Sequence, residues 1–289
     1  MIWIIGCNGM LGREVSGLFE KEKLPFIGTD VECDITDLSA LSEFAKNKNI
    51  SWIINCSAYT NVDKSEEEEP KAYLINAAGA GNIAKTASAV GAKLIHVSTD
   101  YVFNGKGNSP YKESDVKQPL GAYGRTKSAG EDLVTENTAK HFIIRTAWLY
   151  GKNGNNFVHT MLRLFAEKDS LNVVSDQRGT PTWAGTLALL MKKIIESDSD
   201  KFGIYHCTDE GETTWFDFAC SIRDYAFEEG LIDKKIPINP VSSSEYPTKT
   251  ERPKYSVLSK DKIKTMFSFV PQSWDAVLKD YLLERKQEL

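Results

Sequence analysis

Tyr123 and Lys127 stand four residues apart in the stretch Tyr-Gly-Arg-Thr-Lys, a spacing that sets a phenol and an ammonium on one face of a helix. An ammonium beside a phenol stabilises the phenolate. A pKa that starts near ~10 is then expected to fall toward working pH, where the phenol can give or take a proton. Upstream, Ser98-Thr99-Asp100-Tyr101-Val102-Phe103 closes an apolar run, and the Thr99 hydroxyl can hydrogen-bond a carbonyl oxygen as charge develops on it. Gly6-Cys7-Asn8-Gly9-Met10-Leu11-Gly12 forms a G-x-x-G-x-x-G loop. Glycines in this pattern let a strand turn sharply, let backbone approach a pyrophosphate, and let the next helix pack tightly with its free N–H groups toward the phosphates. Asp30 follows the loop by about 20 residues, where a carboxylate accepts hydrogen bonds from a ribose 2′-hydroxyl and repels a 2′-phosphate. The pattern favours NADH; Arg13, just past the loop, leaves NADPH open. Asp34 and Ile35 are placed to meet the adenine.

These groups converge only if the elements between them bring them together. Short apolar runs at 2–5, 25–29, 52–56, 93–98 and 142–145 read as strands buried on both faces. Amphipathic stretches at 11–21, 38–46, 70–90 and 124–137 separate them. Strand and helix in alternation imply right-handed crossovers, hence an α/β, doubly wound, parallel sheet with helices on both faces. In such a sheet ligands bind outside the carboxyl ends of the strands, where Gly6–Gly12 and Thr99 would both lie.

The later half is less regular. Helices are expected at 156–168, 182–197 and 214–229, with a short strand at 171–174. The run 203–207 is expected to return to the main sheet, and 236–253 is rich in Pro, Ser and Thr with little periodicity. The expected division is a dinucleotide-binding part, 1–152 plus about 183–207, and a smaller discontinuous C-terminal substrate part, about 153–182 plus 208–289. The acidic run 66–69 reads as the solvated start of a helix, since carboxylates suit its positive end.

Composition bounds the function classes. Of 289 residues, 41% are hydrophobic and 26% charged, the balance of a chain that can bury a core. With 40 acidic against 35 basic residues and a net charge of −5, nothing pulls it generally toward nucleic acid or an anionic membrane. No apolar run is long enough to span a bilayer, and MIWIIG lacks the features of a secretory signal. Five scattered cysteines without a C-x-x-C pair read as free thiols in a reducing cytoplasm.

The motifs also carry a resemblance. Beyond GCNGMLG and YGRTK, the stretches NCSAYTNVDKSE (55–66), STDYVFNG (98–105), RTAWLYG (145–151), NNF (155–157), DQRGTPT (176–182) and ERP (251–253) resemble the dTDP-4-dehydrorhamnose reductases, a family of extended short-chain dehydrogenases/reductases. The glycine loop and the Tyr/Lys pair belong to the whole superfamily; STDYVF, WLYG with NNF, and DQRGTPT are more specific.

The resemblance implies a Rossmann-type fold and NAD(P)H-dependent reduction of the C4 ketone of dTDP-4-dehydro-β-L-rhamnose. That is the last step toward dTDP-β-L-rhamnose for surface polysaccharide. It implies Tyr123 as proton donor, Lys127 on the nicotinamide ribose, and Thr99 on the C4 carbonyl with Asp100 beside it. Gly9, Met10 and Leu11 would meet the pyrophosphate, Ala58, Tyr59 and Thr60 would lie along the cofactor, and Gly6, Asn8, Gly12 and Val97 would also bind it. Val62 and Trp148 would contact the substrate, and Asn156 and Arg252 its diphosphate. From the residues alone, Trp148 is equally a core side chain and Asn156 equally a helix cap. Some family members bridge a dimer through a metal held by carboxylates. Glu14 and Glu288 are the residues that would be so placed; no metal is assigned, Mg²⁺ and a homodimer being left open. Two rival enzymes share the scaffold. A dehydratase would show Thr-Asp-Glu where this chain has Asp100-Tyr101, and an epimerase fits STDYVF and DQRGTPT less well. A non-catalytic subunit resembling the β subunit of methionine adenosyltransferase is disfavoured by the intact Thr99, Tyr123 and Lys127.

Overall fold

A computed structural model describes residues 1–288. The side chain of Glu288, one of the two carboxylates considered for a bridging metal, lies outside the described residues.

In chain order the strands are β1 (Ile2–Ile5), β2 (Phe26–Thr29), β3 (Trp52–Asn55), β4 (Lys93–Thr99), β5 (His141–Thr146), β6 (Leu149–Tyr150), β7 (Leu171–Val174), β8 (Arg178–Gly179), β9 (Thr182–Trp183), β10 (Gly203–His206), β11 (Thr213–Thr214) and β12 (Ile238–Val241). The helices are α1 (Met10–Lys21), α2 (Leu38–Ala45), α3 (Val62–Ser65), α4 (Glu69–Tyr73), α5 (Ala80–Val90), α6 (Ala122–Asn137), α7 (Phe157–Glu167), α8 (Ala184–Glu196), α9 (Trp215–Glu228), α10 (Asp261–Phe267) and α11 (Trp274–Glu288). A π-helical turn, Leu74–Gly79, joins α4 to α5.

Six strands form the main sheet in the order β10-β5-β4-β3-β1-β2, every pair parallel. Their residues are apolar on both faces because helices cover both. Val15 and Phe19 of α1 pack with α8 on one side, while α2 and α5 bury Leu41, Ile83 and Ala84 on the other. The chain leaves β1 for one edge and crosses back to β3, so the connections diverge between β1 and β3 and open a crevice at their carboxyl ends. β10 adds to the far edge beside β5, in the place expected of 203–207. A third core, around Phe157, Phe165, Phe218 and Tyr281, fills the space between α7, α9 and α11. Among the described residues no helix is long and apolar enough to cross a membrane.

Two local expectations are corrected. The stretch 70–90 is not one continuous α-helix. Asn76 widens a turn so that its side chain accepts from the Tyr59 N–H at 2.8 Å and donates to the Tyr59 carbonyl and the Thr126 hydroxyl. Helix α6 then packs on that turn through Gly130, where a Cβ would lie 2.1 Å from the Asn76 carbonyl oxygen. The acidic run 66–69 is also more than a solvated helix start. Glu66 accepts from the Ala122 N–H at 2.8 Å, which caps α6 in place of the side chain Gly121 lacks. Glu68 accepts from the Tyr59 hydroxyl, and Glu69 takes a bidentate pair from Arg125 at 2.9 and 2.8 Å. Helix α6 carries Tyr123 and Lys127, and two of the four glutamates, Glu66 and Glu69, hold its first turn.

Candidate active site

The glycine loop follows β1 directly. Gly6 has φ +77°, a left-handed conformation, and a Cβ there would sit 2.8 Å from the Ser57 nitrogen. At Gly12 a Cβ would lie 2.0 Å from the Gly6 carbonyl oxygen, so helix and strand approach as closely as backbones can. Gly9 is the N-cap of α1 and supplies no side-chain cap. The first N–H groups of the helix, from Met10, Leu11 and Gly12, are therefore available to an anion. Beside them opens a cavity of about 580 Å³ lined by Gly6, Asn8, Gly9, Asp30, Asp34, Ile35 and Ala58 among others. The Asp30 carboxylate stands at its rim, held by the Asn8 and Val31 N–H groups at 2.9 and 3.0 Å. Arg13 donates from Nε to the Asn8 carbonyl. A bare helix end, a crowded glycine turn and a rim carboxylate fit a dinucleotide.

Leu11 is buried in the core and Met10 packs against Gly151, so these two contribute backbone to the loop. Asp34 accepts from the Thr36 N–H and hydroxyl. Tyr59 has its backbone fixed by Asn76, and Thr60 and Asn8 are exposed.

Thr99 ends β4 and Asp100 begins the turn after it, both buried. The Thr99 hydroxyl accepts from the Tyr101 N–H and donates to Asp100 Oδ1 at 2.8 Å. Burial pushes the Asp100 carboxyl up to about 6 against the hydrogen bonds of Thr99 and Ser256, and its Oδ2 has no partner among the described residues. Tyr123 is half-buried beside this turn, edge-on to Tyr101 at 5.5 Å between ring centroids.

The expected acidification of the phenol is not what the geometry gives. Lys127 donates its ammonium to the Val97 carbonyl at 2.7 Å. Burial, then the Asp100 carboxylate, push the Tyr123 pKa up, with the Thr99 hydroxyl working the other way. The phenol is a neutral O–H at neutral pH, the form that a proton donor needs. Burial brings Lys127 itself down to about 8, opposed by Glu131.

A second cavity, of about 360 Å³, opens beside Tyr101. Phe157, Met161, Leu164, Val173, Trp215 and Tyr246 line it, with Gln177 and Arg252 among its polar groups. Of these apolar members only Phe157 fell in a motif quoted from sequence, NNF; the others were not singled out, because each residue type reads equally well as core. Arg252 reaches this cavity with its guanidinium held by Asp63 at 2.7 Å and by the Tyr101 hydroxyl at 3.0 Å. Val62, half-buried, lies under Thr250, whose hydroxyl donates to its carbonyl. Trp148 takes a left-handed backbone, φ +48°, and stacks on Trp215 at 3.6 Å. Its ring thus supports the cavity wall from behind. Asn156 caps α7, accepting from the His159 N–H, and donates to the Gly151 carbonyl. These bonds use Oδ1 and one of the two Nδ2 hydrogens and give the side chain the helix-cap role that its residue type left open.

Known proteins place this geometry. The family model described as the RmlD substrate binding domain matches residues 1–287. The dTDP-4-dehydrorhamnose reductase of Escherichia coli K12 is 40% identical over 98% of this chain and 97% of its own. A solved dTDP-4-dehydrorhamnose reductase from Clostridium acetobutylicum shares 41% identity, covers 97% of this chain and 98% of its own, and superposes with a TM-score of 0.92. A Bacillus anthracis counterpart, solved in complex with NADP, gives 38% identity, 98% coverage of each chain and the same TM-score of 0.92. The fold, the glycine turn and the near-complete length of these matches agree, and the chain belongs to the dTDP-4-dehydrorhamnose reductase family.

Proposed function

We propose that the protein reduces the C4 ketone of dTDP-4-dehydro-β-L-rhamnose to dTDP-β-L-rhamnose with NAD(P)H. The observation that supports this reading is the seam formed by Thr99, Asp100, Tyr101 and Tyr123 at the carboxyl end of β4, with Tyr101 also lining the aromatic cavity. A ketone held at that seam faces one hydroxyl as acceptor of its charge and one phenol as source of its proton.

The residues of 1–152 and about 183–207 form the dinucleotide part in this reading, and those of about 153–182 and 208–289 the sugar-nucleotide part. Bound nicotinamide supplies the hydride. The Thr99 hydroxyl turns its proton from Asp100 Oδ1 to the ketone oxygen and stabilises the charge that develops there. Tyr123, kept neutral by burial and by Asp100, protonates the alkoxide. Lys127 holds the ribose. Arg252 exchanges the Asp63 carboxylate for the substrate diphosphate through its fork of donors, and Trp215 and Phe157 offer faces to the base. Asp30 favours NADH, with NADPH also accepted. The five free cysteines fit a reducing cytoplasm.

Loss of NADH and NADPH absorbance on adding dTDP-4-dehydrorhamnose tests the reading, with both nucleotides run in parallel. Tyr123→Phe is expected to lower kcat by roughly 10³-fold, within the range for a lost general acid, and to leave nucleotide affinity within about twofold. Turnover by the wild type on no such ketone, or undiminished turnover by the variant, defeats it.

A further inference from the structure

The helix that carries Tyr123 and Lys127 presents a third group one turn further on. Glu131 is fully buried, and its carboxylate is saturated. Oε1 accepts from the Ser98 hydroxyl at 2.6 Å and from Arg145 Nε at 2.8 Å; Oε2 accepts from the second arm of Arg145 at 2.7 Å. Arg145 is as buried as its partner. Burial works against the charge of Glu131, and Arg145, then Ser98 and the Lys117 ammonium 3.5 Å from Oε2, overcome it, so the carboxyl stays below the usual range.

A pair this deep is a weak stabiliser, because desolvating two ions costs about what their attraction returns. An apolar pair of similar volume would hold the fold as well. What an apolar pair lacks is direction, and here the direction is informative. Ser98 pairs in register with Arg145 across β4 and β5. On β4 it stands between Val97, whose carbonyl receives the Lys127 ammonium at 2.7 Å, and Thr99. The Glu131 carboxylate therefore grips the one strand position that lies between the anchor of Lys127 and the Thr99 hydroxyl. Gly124 and Gly130 let α6 come down close, a Cβ at Gly124 falling 2.3 Å from the Tyr101 carbonyl oxygen, but close contact alone does not fix the helix along its axis. The bidentate pair does.

We infer that Glu131 is a positioning residue for the reaction: through Ser98 and Arg145 it sets the register of the catalytic helix against the end of β4, so that Lys127 and Thr99 face the same cleft. It also carries the negative charge nearest Lys127 on its own helix. The other titratable group facing that ammonium is His96 of β4, which burial, then Lys127, keep neutral.

The inference rests on the reductase reading for its kinetic arm, and nucleotide binding supplies an arm that needs no sugar. Ser98→Ala removes one hydrogen bond and leaves the ion pair, so it folds; kcat is expected to fall about fivefold, the effect of about 1 kcal/mol. Glu131→Gln is expected to lower kcat roughly 100-fold, the cost of a misplacement near 1 Å. It should also move the alkaline loss of kcat, and the alkaline weakening of NADPH binding read by fluorescence, about one pH unit lower. The double variant Glu131→Leu/Arg145→Met is expected to recover the thermal midpoint and not kcat. Wild-type kcat in Ser98→Ala, or recovery of both midpoint and kcat in the double variant, overturns the inference. An inactive wild type with normal NADPH binding overturns the substrate reading instead, and the shift in the pH dependence of NADPH binding then decides the role of Glu131.

Discussion

The two cavities are built by different means. The cavity at the glycine loop has one edge made of backbone: Gly6 and Gly9 line it, Gly12 packs against Gly6 behind them, and its rim carboxylate, Asp30, is itself fixed by main-chain N–H groups. The aromatic cavity is walled by side chains drawn from separate segments, Phe157 and Leu164 from α7, Val173 from β7, Trp215 from α9 and Tyr246 from the loop after β12. The first tolerates almost no addition of atoms, while the second tolerates exchange of one apolar group for another. That difference gives an order to the perturbations.

Gly12→Ala carries the largest expected effect. Its Cβ would lie 2.0 Å from the Gly6 oxygen and 2.7 Å from the Cys7 Cα, and both are backbone with no rotamer to yield. Strain of this kind belongs among the few mechanisms that cost several kcal/mol. NADPH affinity is expected to drop by at least about 100-fold, equivalent to about 2.8 kcal/mol, along with a lower thermal midpoint. Fluorescence titration and a melting curve check both. Binding at wild-type strength would erase the contrast between a rigid and a tolerant cavity.

Asp100 lies buried in the turn after β4, bonded to Thr99, and tests whether function there opposes stability. Its pKa in the folded protein, about 6, is above the unfolded value near ~3.9. The folded state therefore binds this proton more tightly. Its stabilisation is complete below about pH 4 and is lost as pH rises through about 6, a difference on the order of 3 kcal/mol. Asp100→Asn is accordingly expected to raise the thermal midpoint at pH 7, to match the wild type near pH 4, and to lose activity. A variant less stable than wild type at pH 7 would mean that the carboxylate is better satisfied than its unpartnered Oδ2 implies.

The same contrast explains what sequence could reveal. The glycine loop, Asp30, Thr99 and the Tyr123/Lys127 pair were legible because each depends on local spacing or on the end of a strand. The six-stranded sheet was legible because alternation of apolar runs and amphipathic helices leaves few topologies. Trp215 and Tyr246 carried no such signal, since an aromatic that lines a cavity and one that fills a core have the same type and periodicity. The acidic run was misread because its partners, Ala122 and Arg125, lie 56 residues from Glu66 and Glu69. The π turn depends on Asn76 meeting Tyr59 and Thr126, separations of 17 and 50 residues. Nor could spacing reveal that Lys127 would reach the Val97 carbonyl instead of acidifying the phenol.

Trp215→Leu probes the tolerant side. Leucine keeps apolar volume in the third core but removes the face that stacks on Trp148 and lines the cavity. Loss of an aromatic face is expected to raise KM for the sugar nucleotide roughly tenfold, about 1.4 kcal/mol. NADPH affinity should not move. If nucleotide binding weakened as much as sugar binding, the two cavities would be one energetic unit.

Asn156 gives the smallest effect and the finest division. Its Oδ1 accepts from the His159 N–H, and its Nδ2 donates to the Gly151 carbonyl, so a cap and a loop clasp account for both ends of the amide. Serine can still accept from the helix N–H and keeps the cap, whereas alanine cannot. Asn156→Ala is therefore expected to cost about 1 kcal/mol of stability and Asn156→Ser less, with KM for the sugar nucleotide unchanged in both. A tenfold rise in KM shared by the two variants would return Asn156 to the substrate and would move the boundary of the aromatic cavity to the N-terminal end of α7.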